Sequence, residues 1–240
     1  MNDMKSYRTR AELKYEVKNL LRGNWKKAIL LYLIPLITFI LTTGYNNGNS
    51  RSTLKYTASS FDVWTFTKVL SSFGIVSFLL SLIFLLINLS ANFRAFDWLD
   101  DPKLDFEPIK SNFTYFRSPD WWQLIFIYVI INIFTFLWTL LLVIPGIVKG
   151  IGYSQTYLVY KDLNDRGLTD GYSLTTYITK SQQLMMGNKW RYFVLQLSFL
   201  GWWILGFTTL GIGFIWIFPY YKLTMVNFYR DLVEKNSTYL

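Results

Sequence analysis

The 240-residue chain has no cysteine and no histidine. Lacking thiols, it has no disulfide framework and no thiolate nucleophile; lacking imidazole, it has no Ser-His or Cys-His pair, and zinc and haem lose their usual ligands. Cysteine usage is therefore silent on the redox compartment. Charge is the third scarcity. Only 16% of residues are charged, where a soluble domain carries about 25%. What fills the space is apolar: 52% of the residues are hydrophobic and 20% are aromatic.

The charges that exist stand in islands. Between them lie uncharged runs from Ala28 to Ser50, Val69 to Phe93, Trp121 to Val148 and Tyr192 to Tyr221. A bilayer core takes roughly 20 apolar residues per helix, so these runs read as membrane spans. The first apolar run starts only near Ala28, with no small-residue cleavage site before it, so the opening residues do not read as a cleaved leader.

Residues 9–22 predict a short amphipathic helix, with Leu13, Val17, Leu20 and Leu21 near one face and Lys14, Lys18 and Arg22 around the rest. Such a helix suits the membrane interface. Gly23-Asn24 interrupts it, and Trp25 supplies an amphipathic ring at headgroup depth. A first span is expected over 26–43, with Pro35 as a kink point, followed by a polar loop over 44–68, a second span over 69–93 and an acidic loop over 94–120. Ser118-Pro119-Asp120 marks a helix start and opens a third span over 121–144. Pro145-Gly146 breaks that run, and residues 147–160 make a fourth. A second interfacial helix is expected near 170–187. The last apolar run, interrupted by Gly206, Gly211 and Gly213, gives spans over 192–207 and 212–229. Hydropathy alone leaves each of these two pairs open, as a hairpin or as one long span.

Charge asymmetry separates the alternatives, because Lys and Arg near span ends accumulate on the cytoplasmic side. With six spans and the N-terminus inside, 20 of the 24 cations fall inside, Arg51, Lys55 and Lys68 fall outside, and Lys149 lies in or near the membrane. Four spans place 15 inside and nine outside. Six fit better. The expectation is an all-α, polytopic helical membrane protein with about six transmembrane helices plus interfacial amphipathic helices, folded as a single integral membrane domain with both termini cytoplasmic. The net charge of +9 then reflects topology and contact with anionic lipids rather than nucleic acid, for which the chain offers no soluble module.

Two places share one grammar. Gly23-Asn24-Trp25-Lys26-Lys27 and Gly187-Asn188-Lys189-Trp190-Arg191 each follow an amphipathic stretch and precede an apolar run. They read either as a duplicated unit, a surface helix hinged to a span, or as the generic recurrence of Trp and Lys where spans begin.

A wider likeness follows from longer stretches. Phe136-Leu-Trp-Thr-Leu-Leu-Leu-Val-Ile-Pro-Gly-Ile-Val-Lys-Gly-Ile-Gly-Tyr-Ser, Ser181-Gln-Gln-Leu-Met-Met-Gly-Asn-Lys-Trp-Arg-Tyr-Phe, Leu197-Ser-Phe-Leu-Gly-Trp-Trp, Thr209-Leu-Gly-Ile-Gly-Phe-Ile-Trp-Ile-Phe-Pro-Tyr and Asn227-Phe-Tyr together resemble the DUF975 family of bacterial integral membrane proteins. Glu12-Leu-Lys and Leu21-Arg-Gly-Asn-Trp match as well. The resemblance implies a polytopic protein with about six spans from a Gram-positive type of bacterium. It supplies no catalytic residues.

Few residues carry candidate chemistry. Asp100-Asp101-Pro102-Lys103-Leu104-Asp105 has the DDxxxD form of a magnesium-binding run, but Pro102 disrupts its helical presentation and no second cluster faces it; a solvated loop is the better reading. Lys149, just after Pro145 and Gly146, is the notable membrane charge, since ionisable groups at depth are costly and often functional. The plainer reading is a lysine that snorkels from a hairpin tip. The long runs hold no Asp or Glu, which argues against a proton-coupled carrier, while Asn88, Asn132, Gln155 and Gln196 suit either a polar path or helix packing. Lys149, Pro145, Gly146, Gly187, Asn188 and Trp190 are the candidate functional residues. The expected role is non-enzymatic, without cofactor: engagement of anionic lipid or another membrane protein in the bacterial cytoplasmic membrane, with a small-molecule permease or channel as the alternative.

Overall fold

The computed structural model describes residues 7–41, 63–169 and 171–236, side chains of 63–77 and 143 excepted. Most of the expected 44–68 loop, with Arg51 and Lys55, lies outside the described residues. Every regular element among the described residues is helical.

Helix α1, Arg10–Leu21, starts at a capping box in which Thr9 and Glu12 exchange hydrogen bonds. Those bonds from Thr9 hold the Glu12 carboxyl below its usual range. Leu13, Val17 and Leu21, one helical turn apart, are its buried face. Gly23, at φ +86°, then turns the chain, and α2, Trp25–Leu41, leaves at 106° to α1. Helix α3, Val63–Asp100, is 38 residues long, so the segment expected as an acidic loop from 94 is helical to Asp100. Asp97 and Asp100 on this last stretch pair with cations of distant helices (below), and Pro102, two residues past the helix end, disfavours its continuation. A short helix α4, Pro108–Ser111, and a 3-10 turn, Thr114–Phe116, cover the α2–α3 seam. There the Asn112 amide donates to the Leu31 carbonyl at 3.1 Å.

Helix α5, Trp121–Leu141, ends where Leu142 turns extended at ψ 138°, three residues before the expected break at Pro145-Gly146. Pro145 instead sits in the first turn of α6, Val143–Tyr153, where the missing N–H has no helical partner to lose. Helix α6 folds back along α5 as a hairpin. A Cβ on Gly146 would come within 2.9 Å of the Thr139 Cα, and Phe134 meets Tyr153 at 6.4 Å between ring centroids. Gly146 is therefore a close-approach residue of the seam rather than a breaker.

The return limb is itself broken at Ser154-Gln155 and resumes as α7, Thr156–Asp165. The Ser154 hydroxyl donates to the Ile151 carbonyl at 2.8 Å, taking an acceptor from the helical ladder. Helix α8, Leu174–Leu184, fits the expected second amphipathic helix, with Tyr177, Ile178, Ser181 and Leu184 buried. After Gly187, φ +76°, come α9, Lys189–Leu197, and α10, Leu200–Thr208. The expected 192–207 span is thus two nine-residue pieces, parted where the Ser198 hydroxyl takes the Leu195 carbonyl. A turn through Gly211, φ +91°, reverses the chain into α11, Phe214–Lys235. A Cβ on Gly206 would run into the Phe214 ring, so α10 and α11 also close as a hairpin.

Two described helical stretches, Phe78–Asp100 and Trp121–Leu141, are long and apolar enough to cross a membrane, and the α1–α2 pair makes a third if taken as one bent span. The other limbs are too short as single helices, or in α11 too charged. Large apolar side chains stay uncovered on α5, α6 and the 209–213 turn, with Leu140, Leu141, Ile144 and Leu210 among the most exposed, a surface compatible with lipid.

Charges pair across elements near the C-terminal ends of α3, α7 and α11. Lys161 of α7 bridges Asp97 of α3 at 2.9 Å and also binds Asp165. Arg230 of α11 meets Asp100 at 2.6 Å. Asp231, fully buried, takes Arg191 of α9 at 2.5 Å and the Arg8 backbone N–H at 3.1 Å. Arg8 also binds Glu16 at 2.9 Å and Glu234 at 2.8 Å; burial alone would lower its pKa, but these carboxylates keep it above its ordinary value. The acidic run with the form of a magnesium site is committed elsewhere: Asp100 holds Arg230, Asp101 accepts from the Lys103 N–H at 3.0 Å, and Asp105 faces Lys27 at 3.6 Å.

Candidate functional site

The second Gly-Asn turn opens onto a surface groove. Lys149 of α6, Gln182 and Met186 beside the end of α8, Gly187, and Lys189 and Trp190 of α9 line it. Gly187 makes this possible by its left-handed backbone, which sends α9 off at once and lets Lys189 lean back over α6: the position of a Cβ on Gly152 is 3.7 Å from the Lys189 Nζ and 3.6 Å from Gln182. The Lys149 ammonium stands 4.7 Å from the Trp138 ring centroid, a cation–π contact. Trp190 is 71% exposed. Among the described residues no carboxylate lines the groove. Two cations, an amide and an exposed indole packed on Phe193 give the hollow the chemistry to hold an anion with an apolar tail beside it.

Of the six residues singled out by sequence, Lys149, Gly187 and Trp190 meet here. Pro145 and Gly146 do not line the groove; they shape the α5–α6 seam that carries Lys149. Asn188 is buried, and its amide donates to the Tyr7 hydroxyl at 3.1 Å while its carbonyl accepts from Arg191 at 3.0 Å. It belongs to the ion-paired knot around Asp231.

Two features escape the linear sequence. Lys222, by charge count an inner-side cation at the end of an apolar run, lies within α11 and lines a half-open cavity of about 170 Å³ together with Asn92, Ser154, Gln155, Tyr192 and Tyr221. The other is an internal repeat, Tyr160-Lys161-Asp162-Leu163 and Tyr229-Arg230-Asp231-Leu232, near the ends of α7 and α11. Its two copies touch: the Tyr229 hydroxyl donates to Asp162 at 3.2 Å. A search for short self-similarity would have found it.

A protein-family model described as "Protein of unknown function (DUF975)" matches residues 45–236, which includes the groove, the cavity and both copies of the repeat. No curated protein and no solved structure matches the chain.

Proposed function

We propose, from the premise that this chain belongs to the DUF975 family, that it is a multi-pass protein of the bacterial cytoplasmic membrane that binds anionic lipid headgroups at the Lys149–Lys189–Trp190 groove and catalyses no reaction. The observation that carries the reading is the meeting of two unpaired ammonium groups and an exposed indole in one hollow without a carboxylate. A phosphodiester satisfies both lysines, and Trp190 takes the glycerol and upper acyl region, where an indole is at home. The six-pass arrangement is supported by the meeting of the α3, α7 and α11 C-terminal ends, which makes these three the returning limbs of three antiparallel pairs, with α2, α5 and α9–α10 as the outgoing ones. The cation count favours both termini in the cytoplasm.

The test is lipid retention. Native mass spectrometry of the detergent-purified protein is expected to show phosphatidylglycerol kept over phosphatidylcholine, and Lys149→Gln with Lys189→Gln to reduce that preference several-fold. Equal retention by the double variant overturns the groove. A reporter fused after residue 240 tests the topology, and an external signal overturns six passes. A small-molecule permease is the second reading, favoured by the half-open cavity at Lys222; solute flux in proteoliposomes separates the two.

A further inference from the structure

The half-open cavity at Lys222 is separate from the surface groove and shares no residue with it. Its charged member is Lys222. At 1.5 Å rise per residue this lysine sits roughly 12 Å beyond the start of α11 and roughly 20 Å before its end, so it belongs to neither terminus. A lysine in this position has two ordinary ways to be stabilised: a carboxylate partner, or a stem that carries the ammonium to water. Lys222 has no carboxylate within ion-pairing distance among the described residues. Its ammonium also lies toward the N-terminal side of its own helix, 5.4 Å from the ring centroid of Phe218 one turn earlier, as helical side chains lean. The paired charges at Arg230 and Asp231 lie the other way.

The cavity wall explains the direction. Asn92 has its carbonyl oxygen engaged by the Tyr32 hydroxyl at 3.3 Å, which leaves its amide N–H groups to the cavity side. Gln155 donates to the Ser154 hydroxyl at 2.9 Å, and Ser154 donates onward to Ile151. The Tyr192 hydroxyl stands near Ser154, Gln196 and Gln155. The wall therefore collects an ammonium, an amide N–H₂ and tyrosine hydroxyls at the place where the α6–α7 limb is interrupted. It holds one charge sign only. Lys222 is half-buried there with no carboxylate beside it among the described residues, and a donor-rich hollow around an ammonium is what an anion would complete.

We propose that this cavity is a binding site for a phosphate-class oxyanion, with Lys222 as its charge partner and Asn92, Tyr192 and Tyr221 as hydrogen-bond donors. The cavity volume of about 170 Å³ exceeds the ≈ 30 Å³ that one water occupies in the liquid and is of the size that takes a phosphate group with a few atoms attached. The phosphate comes either from a lipid headgroup drawn between helices or from a free ion.

The experiment is a thermal-shift titration of the full-length protein in an uncharged detergent with two probes, inorganic phosphate and short-chain phosphatidylglycerol. At least one is expected to raise the melting midpoint saturably, equally in wild type and in the Lys149→Gln, Lys189→Gln variant. Lys222→Met is expected to abolish the shift and Lys222→Arg to keep a reduced one. A response to both probes assigns a free oxyanion; a response to the lipid alone assigns a headgroup. The site is overturned if neither probe shifts wild type, if Lys222→Met keeps the full shift, or if the shift disappears with the surface pair instead. Should Lys222→Met not fold, Tyr192→Phe with Tyr221→Phe keeps the charge and removes two donors; a weakening of at least several-fold is expected, and unchanged affinity overturns the assignment. Equal lipid retention by the Lys149→Gln, Lys189→Gln variant with an intact Lys222-dependent shift would remove the groove and leave this site standing.

Discussion

The α1–α2 and α8–α9 turns are built alike and used differently. Each has a left-handed glycine, Gly23 or Gly187, with open space for 4 Å around the position a Cβ would take. Each is followed by an asparagine whose amide reaches back four residues, Asn24 to the Leu20 carbonyl at 3.0 Å and Asn188 to the Leu184 carbonyl at 3.4 Å. There the likeness stops. Beyond the first turn, Lys27 is already committed, donating to the Leu104 carbonyl at 2.7 Å and facing Asp105. Beyond the second, Lys189 has no such partner among the described residues and Asn188 is wired to Tyr7 and Arg191. One local code thus makes two corners, and the tertiary surroundings decide that the lysine after the first is tied into the fold while the lysine after the second stays at the groove surface.

The comparison breaks most visibly at Asp231. Asp231→Ala leaves Arg191 and Arg8 without their shared carboxylate, and unpairing a buried ion pair costs about 3–5 kcal/mol. Denaturant or thermal unfolding in detergent should register this as the largest loss, with α9 as the element released. Next come Gly23→Ala and Gly187→Ala, each expected to cost about 1–2 kcal/mol, since a side chain at positive φ is strained wherever it has room. The two values should agree within error. A clear difference would mean that the corners are not the same backbone unit.

The asparagines should differ where the glycines do not. Asn188→Ala removes buried hydrogen bonds, among them the one it accepts from Arg191, at about 1–3 kcal/mol, whereas Asn24→Ala loses one partly exposed bond and about 0.5–1 kcal/mol; the same unfolding assay ranks them. The smallest effect lies at the helix starts. Glu12 in the α1 capping box has a lowered pKa, so its support is present above its unfolded value near 4.3 and lost as pH falls through the lower folded value. Helix α8 begins at Ser173 with no side-chain cap and no acid in its first turn. Amide exchange, corrected for its intrinsic rate, should show the first turn of α1 loosening below about pH 4 while that of α8 does not respond in this way.

What is legible in the sequence is what is local. Leu13, Val17 and Leu21 announce α1 by spacing, Gly187 announces a corner, and Gly211 a reversal. Pro145 misleads because a proline that can break a helix is equally suited to a first turn, and only the extended Leu142 shows which applies. The interruptions at Ser154 and Ser198 are hidden inside apolar runs, since one hydroxyl taking a carbonyl leaves no trace in hydropathy. Lys149 and Trp190 are visible as candidates, but their meeting with Lys189 depends on how α6 lies against α9. Asp97 and Asp100 look like loop residues because their partners, Lys161 and Arg230, lie far along the chain. Lys222 looks like a boundary marker for the same reason: a charge ends an apolar run on paper, while in space α11 continues well past it.

The bond from the Arg8 backbone to Asp231 joins residues 223 positions apart. A ribosome making this chain delivers Arg8 first and Asp231 only after the helices between them, so the knot cannot close early. Until then Arg191 lacks its carboxylate, and α1 can lie on the membrane without docking. Closure thus comes last in the order of synthesis: a chain stalled before α11 would hold Arg191 without its carboxylate and α1 without the helix it packs on.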